Sequence, residues 1–245
     1  MAGRILELSK WPGEKMWGEA LIAGDSKGNY SWADGTAHDL YYTAAAKSCK
    51  AAGISLIRLG WEFQYLGPYG QPNATDFIKA WKKIWTLYNA VAPGFFRFIF
   101  NPNPGPGPHD AISAYYPGKQ YVGLVGIDLY AAVQGWAQVT GASWNVNDVV
   151  NFAVANRHDI AVPEWGLTPT SQSGWTGSGD SPQFVDDLFT WASNIISKHD
   201  INVYLLAWGD GYPSTSGTWG VNCFPKAFAE LKAQVSRYRA LGLIV

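Results

Sequence analysis

Apolar residues in this chain come in short runs, and the runs alternate with longer stretches of helical periodicity. Arg4–Ser9, Glu19–Ala23, Ser55–Gly60, Phe95–Phe100, Tyr121–Tyr130, Asp159–Pro163 and Asn202–Trp208 read as short, buried strands. Between and after them, Asp39–Ala52, Asp76–Asn89, Asn147–Asn156, Gln183–Lys198 and Pro225–Arg237 read as helices. Asp76–Asn89 is the clearest: Phe77, Trp81, Ile84, Trp85 and Tyr88 fall at helical spacing on one apolar face. Thr75 is the expected N-cap of that helix, and Gly53 the expected C-terminal cap of Asp39–Ala52. Strands alternating with helices predict an α/β fold with a parallel sheet and right-handed crossovers. No shift in composition marks an internal boundary, so residues 1–245 read as a single domain. The Ser/Gly/Thr-rich loop Thr168–Ser181 is long enough for a mobile or lid-forming segment.

Two strands share a plan. Ser55-Leu56-Ile57-Arg58-Leu59-Gly60-Trp61-Glu62-Phe63 is an apolar run ending in Trp and Glu, and Asp159-Ile160-Ala161-Val162-Pro163-Glu164-Trp165-Gly166 is another. Each reads as a strand that delivers a glutamate at its end, and a parallel α/β fold collects such ends at one rim. Two carboxylates across a cleft are the minimum equipment for glycoside cleavage.

Composition sharpens that picture. Aromatic residues make up 15% of the 245 residues, with 13 Trp and 13 Tyr, several near Gly and Pro in loops where flat sugar faces could stack. The net charge is −1 and only 15% of residues are charged, which leaves no basic face for nucleic acid. No apolar run is long enough for a membrane span, and Met1-Ala2-Gly3-Arg4 opens no signal-peptide pattern. Cys49 and Cys223 have neither disulfide-framework nor metal spacing; free thiols packed in helices are expected, with one bridge left open. His38, His109, His158 and His199 are scattered and read as surface or helix-end residues, so no metal and no cofactor is expected.

Arg58-Leu59-Gly60-Trp61-Glu62-Phe63 resembles the acid/base motif of glycoside hydrolase family 26 and its relatives in clan A. The resemblance runs along most of the chain. Phe100-Asn101-Pro102-Asn103 is similar to the end of the family's strand 5. Tyr116-Pro117-Gly118 with Val125-Gly126-Ile127-Asp128-Leu129-Tyr130 is similar to strand 6, Pro163-Glu164-Trp165-Gly166 to strand 7, and Trp208 to the strand 8 tryptophan under the sugar at the cleavage point. The resemblance implies a (β/α)8 barrel of the TIM type. Counting back from strand 8 makes Glu19–Ala23 strand 3 and leaves Arg4–Ser9 as strand 2 at most, so the barrel is expected to be incomplete at its N-terminus. Its open edge would need a cover, from this chain or from a second copy in a homo-oligomer.

The resemblance further implies a retaining endo-β-glycosidase with Glu62 as acid/base and Glu164 as nucleophile, the Tyr130 hydroxyl touching Glu164. Trp61 and Phe63 supply the apolar setting in which a carboxyl keeps its proton. Arg58, four residues before Glu62 and so on the same strand face, is the candidate to orient a carboxylate or to form a buried ion pair. Asn101 and Asn103 either donate to substrate hydroxyls or brace the loop. Trp61, Tyr65, Tyr69, Trp165, Trp175 and Trp208 are candidate sugar contacts. The family's mannanases carry His before and Asn after the acid/base glutamate; here Trp61 and Phe63 stand there. The expected substrate is a β-1,4-mannan, with another β-glucan, a xylan, or glycan binding without turnover as alternatives. Such a substrate places the protein outside the cell, a cytoplasmic location being left open.

Overall fold

The structure, a computed structural model, describes residues 16–19, 31–63, 73–103, 111–131, 135–140, 146–169, 177–208 and 223–241. They fall into two compact units: Met1–Asn103 with Gly107–Gly126, and Pro104–Pro106 with Ile127–Val245. The expected strand Arg4–Ser9 lies outside the described residues.

In the first unit, β1 (Met16–Glu19), β2 (Leu56–Leu59), β3 (Arg97–Phe100) and β4 (Leu124–Gly126) pair side by side, all parallel and in chain order. Of the expected strand Glu19–Ala23 only Glu19 is among the described residues, and it ends β1. β2 is buried along its whole length, as a strand covered on both faces must be. Two helices precede and follow it, α1 (Asp39–Ala51) and α2 (Ala74–Val91). Ala52 caps α1, and Gly53 follows at φ +69°, the left-handed conformation that ends helices most readily. The N-cap of α2 is Asn73 rather than Thr75. Its side-chain oxygen accepts from the backbone N–H groups of Thr75 and Asp76 at 2.9 and 3.3 Å, satisfying two of the helix's orphan donors. Phe77, Ala80, Trp81, Ile84 and Tyr88 form the buried stripe. Trp85 sits off that stripe, half-buried, with its ring edge-on to Tyr121 at 5.0 Å.

Gly126 closes β4 against β3. A Cβ there would lie 2.8 Å from both Ile99 Cγ2 and Asn101 Cβ, so only glycine allows this approach.

In the second unit, β6 (Asp159–Leu167) lies between β5 (Leu129–Ala131) and β7 (Val203–Trp208), again all parallel. Its helices are α3 (Trp136–Val139), α4 (Val146–Ala155), α5 (Pro182–His199) and α6 (Pro225–Ala240). The short α3 carries no sequence signal of its own, and the run Tyr121–Tyr130 is two strands, β4 and β5, not one. Ile127, in the break, donates its N–H to the Ala161 carbonyl at 2.9 Å. β6 is longer than the expected Asp159–Pro163. Pro163 has no N–H to offer a ladder, and the register with β7 steps over it from Val162↔Leu205 to Glu164↔Ala207.

Asp180 accepts from the N–H groups of Lys226 and Ala227 at 3.0 and 2.9 Å and so caps α6. Buried Gln234 ties α6 to α5, donating to Asp186 at 2.7 Å and to Glu230 at 2.8 Å. Cys49 is buried in α1 and Cys223 is exposed, and no disulfide joins them. His158, expected at a surface or helix end, is buried just after α4, its N–H on the Ala153 carbonyl at 2.9 Å. His109 lies outside the described residues.

Candidate active site

Each unit presents one of the two glutamates. In the first unit β2 stops at Leu59, and the chain turns sharply through Gly60 at φ +52° and Glu62 at φ +52°. Glycine takes that conformation freely; a glutamate does not, and holding one there costs about 1–2 kcal/mol. The turn sorts three consecutive side chains. Trp61 is thrown outward and is 42% exposed. Phe63 is driven inward among Phe77, Phe100 and Tyr115, at ring distances of 4.4, 4.9 and 5.2 Å. Glu62 stands between them, half-buried, with its N–H on the Asn101 carbonyl at 2.8 Å.

This geometry corrects the same-face argument for Arg58 and Glu62, because the strand ends before Glu62 is reached. Arg58 is instead the floor of the turn. It is 4% exposed, donates from Nε to Asn101 Oδ1 at 2.6 Å, and lies with its guanidinium 5.4 Å from the centre of the Trp61 ring. That is cation–π distance. Gly18 of β1 is in register with Arg58 and lies beside the Trp61 ring, where a Cβ would make ordinary contact at 3.9 Å.

Asn101 is not a substrate contact. It is fully buried, and its side chain is spent on Arg58 and on the Pro102 carbonyl at 3.3 Å. Of the two expectations, bracing the loop is what the structure shows. Asn103 is buried as well. Tyr116, just beyond, packs its ring 5.8 Å from Phe100, and burial pushes its hydroxyl above the ordinary tyrosine range.

In the second unit Glu164 lies within β6 rather than at its end, half-exposed between buried Pro163 and Trp165. Tyr130 of β5 is in register with Gly166, two residues along from Glu164 and hence on the same face. Its hydroxyl donates to Glu164 Oε2 at 3.0 Å. The expected tyrosine–glutamate contact is therefore present. Trp165 is 4% exposed and packs in the sheet, in register with Leu129 and Trp208. That burial removes it as a sugar platform. Trp208 ends β7; its side chain, together with Tyr65, Tyr69 and Trp175, lies outside the described residues.

Thr168, at the start of the expected lid, is buried and donates to the Ala131 carbonyl, so the loop is tied down at its root. Residues 170–176 lie outside the described residues. Among the described residues no cluster of His, Cys, Asp or Glu is placed to hold a metal ion. No described helix is long and apolar enough to cross a membrane.

The role of Phe63 escaped the sequence reading. It was legible only as an apolar neighbour of Glu62, not as the ring that packs among Phe77, Phe100 and Tyr115 beneath the turn.

No family model matches the sequence, and no curated protein matches it. Solved structures do. GH26C from Muricauda sp. MAR_2010_75 matches over 80% of this chain and 55% of its own, at 20% identity and a TM-score of 0.55. The catalytic domain of the GH26 endo-β-1,4-mannanase of Bacillus sp. JAMB-750 matches over 94% and 67%, at 16% identity and a TM-score of 0.58. An endo-β-1,4-mannanase double mutant from Cellulomonas fimi matches over 95% and 56%, at 14% identity and a TM-score of 0.60. The chain thus spans between about half and two thirds of the length of these proteins. At this identity the likeness shows the fold: parallel strands with flanking helices, a partial (β/α)8 barrel.

Proposed function

We propose that the protein is a glycoside hydrolase that cleaves a β-1,4-mannan within the chain, with retention of configuration. The observation that carries the proposal is the Tyr130–Glu164 hydrogen bond, which holds in place the carboxylate that this reading takes as the nucleophile. Support also comes from Glu62, held in a left-handed turn beside an exposed tryptophan, and from the likeness to mannanase structures.

In this reading a Glu164 carboxylate oxygen forms a bond to the anomeric carbon while the glycosidic C–O bond breaks. The departing oxygen takes its proton from Glu62. Tyr130 fixes Oε2 of Glu164 and so sets the direction of attack. Water then gives a proton to Glu62 and its oxygen to the anomeric carbon, and Glu164 leaves with its electron pair. The two carboxyls of a retaining enzyme work at about 5–5.5 Å from each other. Trp61 offers an indole face to a sugar ring beside Glu62, held by Arg58 from behind. No cofactor enters the reaction, and a polymer substrate places the enzyme outside the cell.

The test is release of new reducing ends from soluble mannan, glucan and xylan by the unaltered chain and by Glu62→Gln and Glu164→Gln. Mannan cleavage lost in both variants is the expected result. Binding of mannan without new reducing ends would replace this reading with that of a glycan-binding protein. Cleavage that survives Glu164→Gln would remove Glu164 as nucleophile.

A further inference from the structure

Away from Glu164, the helices of the second unit flank an open groove of about 370 Å³ between α4 and α5, with α3 at one side. This is within the size range of small-molecule sites, ~300–1,000 Å³. Val150 and Ile195 form its apolar floor, and the rest of its walls are polar or aromatic. Along α5, Asp187, Thr190, Trp191, Asn194 and Lys198 share one stripe at helical spacing, and all line the groove. Aliphatic side chains would fill that stripe if its purpose were to bury α4. From the other wall come Asn147 and Asn151.

We propose that this groove is a second carbohydrate-binding site, which holds a neutral β-linked chain while another part of it reaches the catalytic residues. The inference rests on the glycosidase reading for the identity of its ligand. Three observations carry it. First, Trp136 and Trp191 meet edge to face at 5.8 Å, and Trp136 is itself backed by buried Phe184 at 5.5 Å. Two half-buried indoles held this way form a rigid aromatic wall. Second, Asn151 and Asn194 are both exposed, so their side-chain amides are open to a ligand. Each offers two donors and an acceptor, the pairing that sugar hydroxyls need, since a hydroxyl both gives and takes. Third, the charges are mixed and far apart: Asp187, which already accepts from Gln183 at 3.0 Å, lies three turns of α5 before Lys198. A wall of this kind suits an uncharged ligand better than an anion or a cation.

Position separates the groove from the reaction. It extends to His199, where α5 ends just before β7 begins, and there Asn202 and Asp159 join the starts of β7 and β6. Glu164 lies five residues further along β6, about 16 Å at the rise of a parallel strand.

The experiment uses the full chain carrying Glu164→Gln, so that no ligand is consumed. The indole N–H signals of Trp136 and Trp191 are assigned by single Phe replacements and followed by ¹⁵N NMR during titration with mannohexaose, cellohexaose and xylohexaose in turn. At least one hexasaccharide should move both signals in a saturable way. The double variant Asn151→Ala/Asn194→Ala, altered only at exposed positions, should weaken that titration at least fivefold. The same double variant with Glu164 restored should cleave an aryl mannoside at the unaltered rate but degrade insoluble mannan several-fold more slowly. Indole signals that respond to none of the three sugars, or a response unchanged by the double variant, would overturn the proposal. Failure of the glycosidase reading looks different: the restored enzyme releases no reducing ends, whatever the groove does.

Discussion

Glu62 is held at φ +52°, in a conformation that glutamate rarely takes, and this makes a measurable claim about stability. Replacing it with alanine removes the carboxyl but keeps a Cβ, so the backbone remains strained. Replacing it with glycine removes the carboxyl and the strain together. The left-handed conformation costs an L-residue about 1–2 kcal/mol, and glycine gives back ~0.5–1 kcal/mol through the greater freedom of its unfolded chain. Side-chain contacts are lost equally in both variants and cancel. Glu62→Gly should therefore be more stable than Glu62→Ala by about 0.5–1 kcal/mol, or roughly 1–4 °C in Tm for a chain of this size. Thermal unfolding followed by far-UV circular dichroism reads the difference. Asp200 serves as the control: it caps α5 at φ +54°, so Asp200→Gly should exceed Asp200→Ala in the same direction. The Asp200 pair should keep activity, and both Glu62 variants should lose it. If the alanine variant at position 62 is as stable as the glycine variant, the turn holds no strain, and the account of how Glu62 is presented fails.

Tyr130→Phe removes the 3.0 Å hydrogen bond to Glu164. A hydrogen bond to a charged group is worth about 1.5–3 kcal/mol, so kcat/KM on mannan should fall roughly 10–100-fold with Tm nearly unchanged. Trp81→Ala truncates a fully buried ring and orphans the Tyr121 carbonyl, which accepts from its Nε1 at 3.1 Å. It should cost about 3–5 kcal/mol in denaturant unfolding, and half-buried Trp85→Ala distinctly less. Tyr116 carries a hydroxyl whose titration burial has pushed upward. The folded state thus keeps the proton longer than the unfolded chain, so this group's contribution is complete below pH ~10 and is lost as pH rises beyond it. Tyr116→Phe should flatten that part of the alkaline stability profile, measured as Tm against pH.

The alternation of strand and helix was legible because each run carries its own period: buried four-residue strands such as Leu56–Leu59, and an amphipathic stripe such as Phe77 to Tyr88. Boundaries were less so. Asn73 outcompetes Thr75 as a cap through side-chain geometry that composition cannot rank, and Pro163 looked like a strand end where the ladder steps over it. Both glutamates and the Tyr130 contact could be proposed from motif order. What could not be read was direction. Asn101, Trp165 and Trp61 are equally plausible as sugar contacts on paper, yet tertiary packing buries the first two and exposes the third. For Trp61 the cause is one backbone turn at Gly60–Glu62, whose second left-handed residue is a glutamate and so gives no compositional warning. The polar and aromatic stripe of α5 was visible as a helix, but its facing wall belongs to α4, and only the fold brings the two together.

The most direct test of the central claim is the configuration of the first product. Mannopentaose is mixed with the protein and ¹H NMR spectra are taken before mutarotation equilibrates the reducing ends. Double displacement by Glu164 with proton transfer from Glu62 predicts that newly released ends appear first as the β-anomer and drift to the equilibrium mixture afterwards. Ends that appear first as the α-anomer would contradict a glutamate nucleophile at position 164, whatever the rate of cleavage.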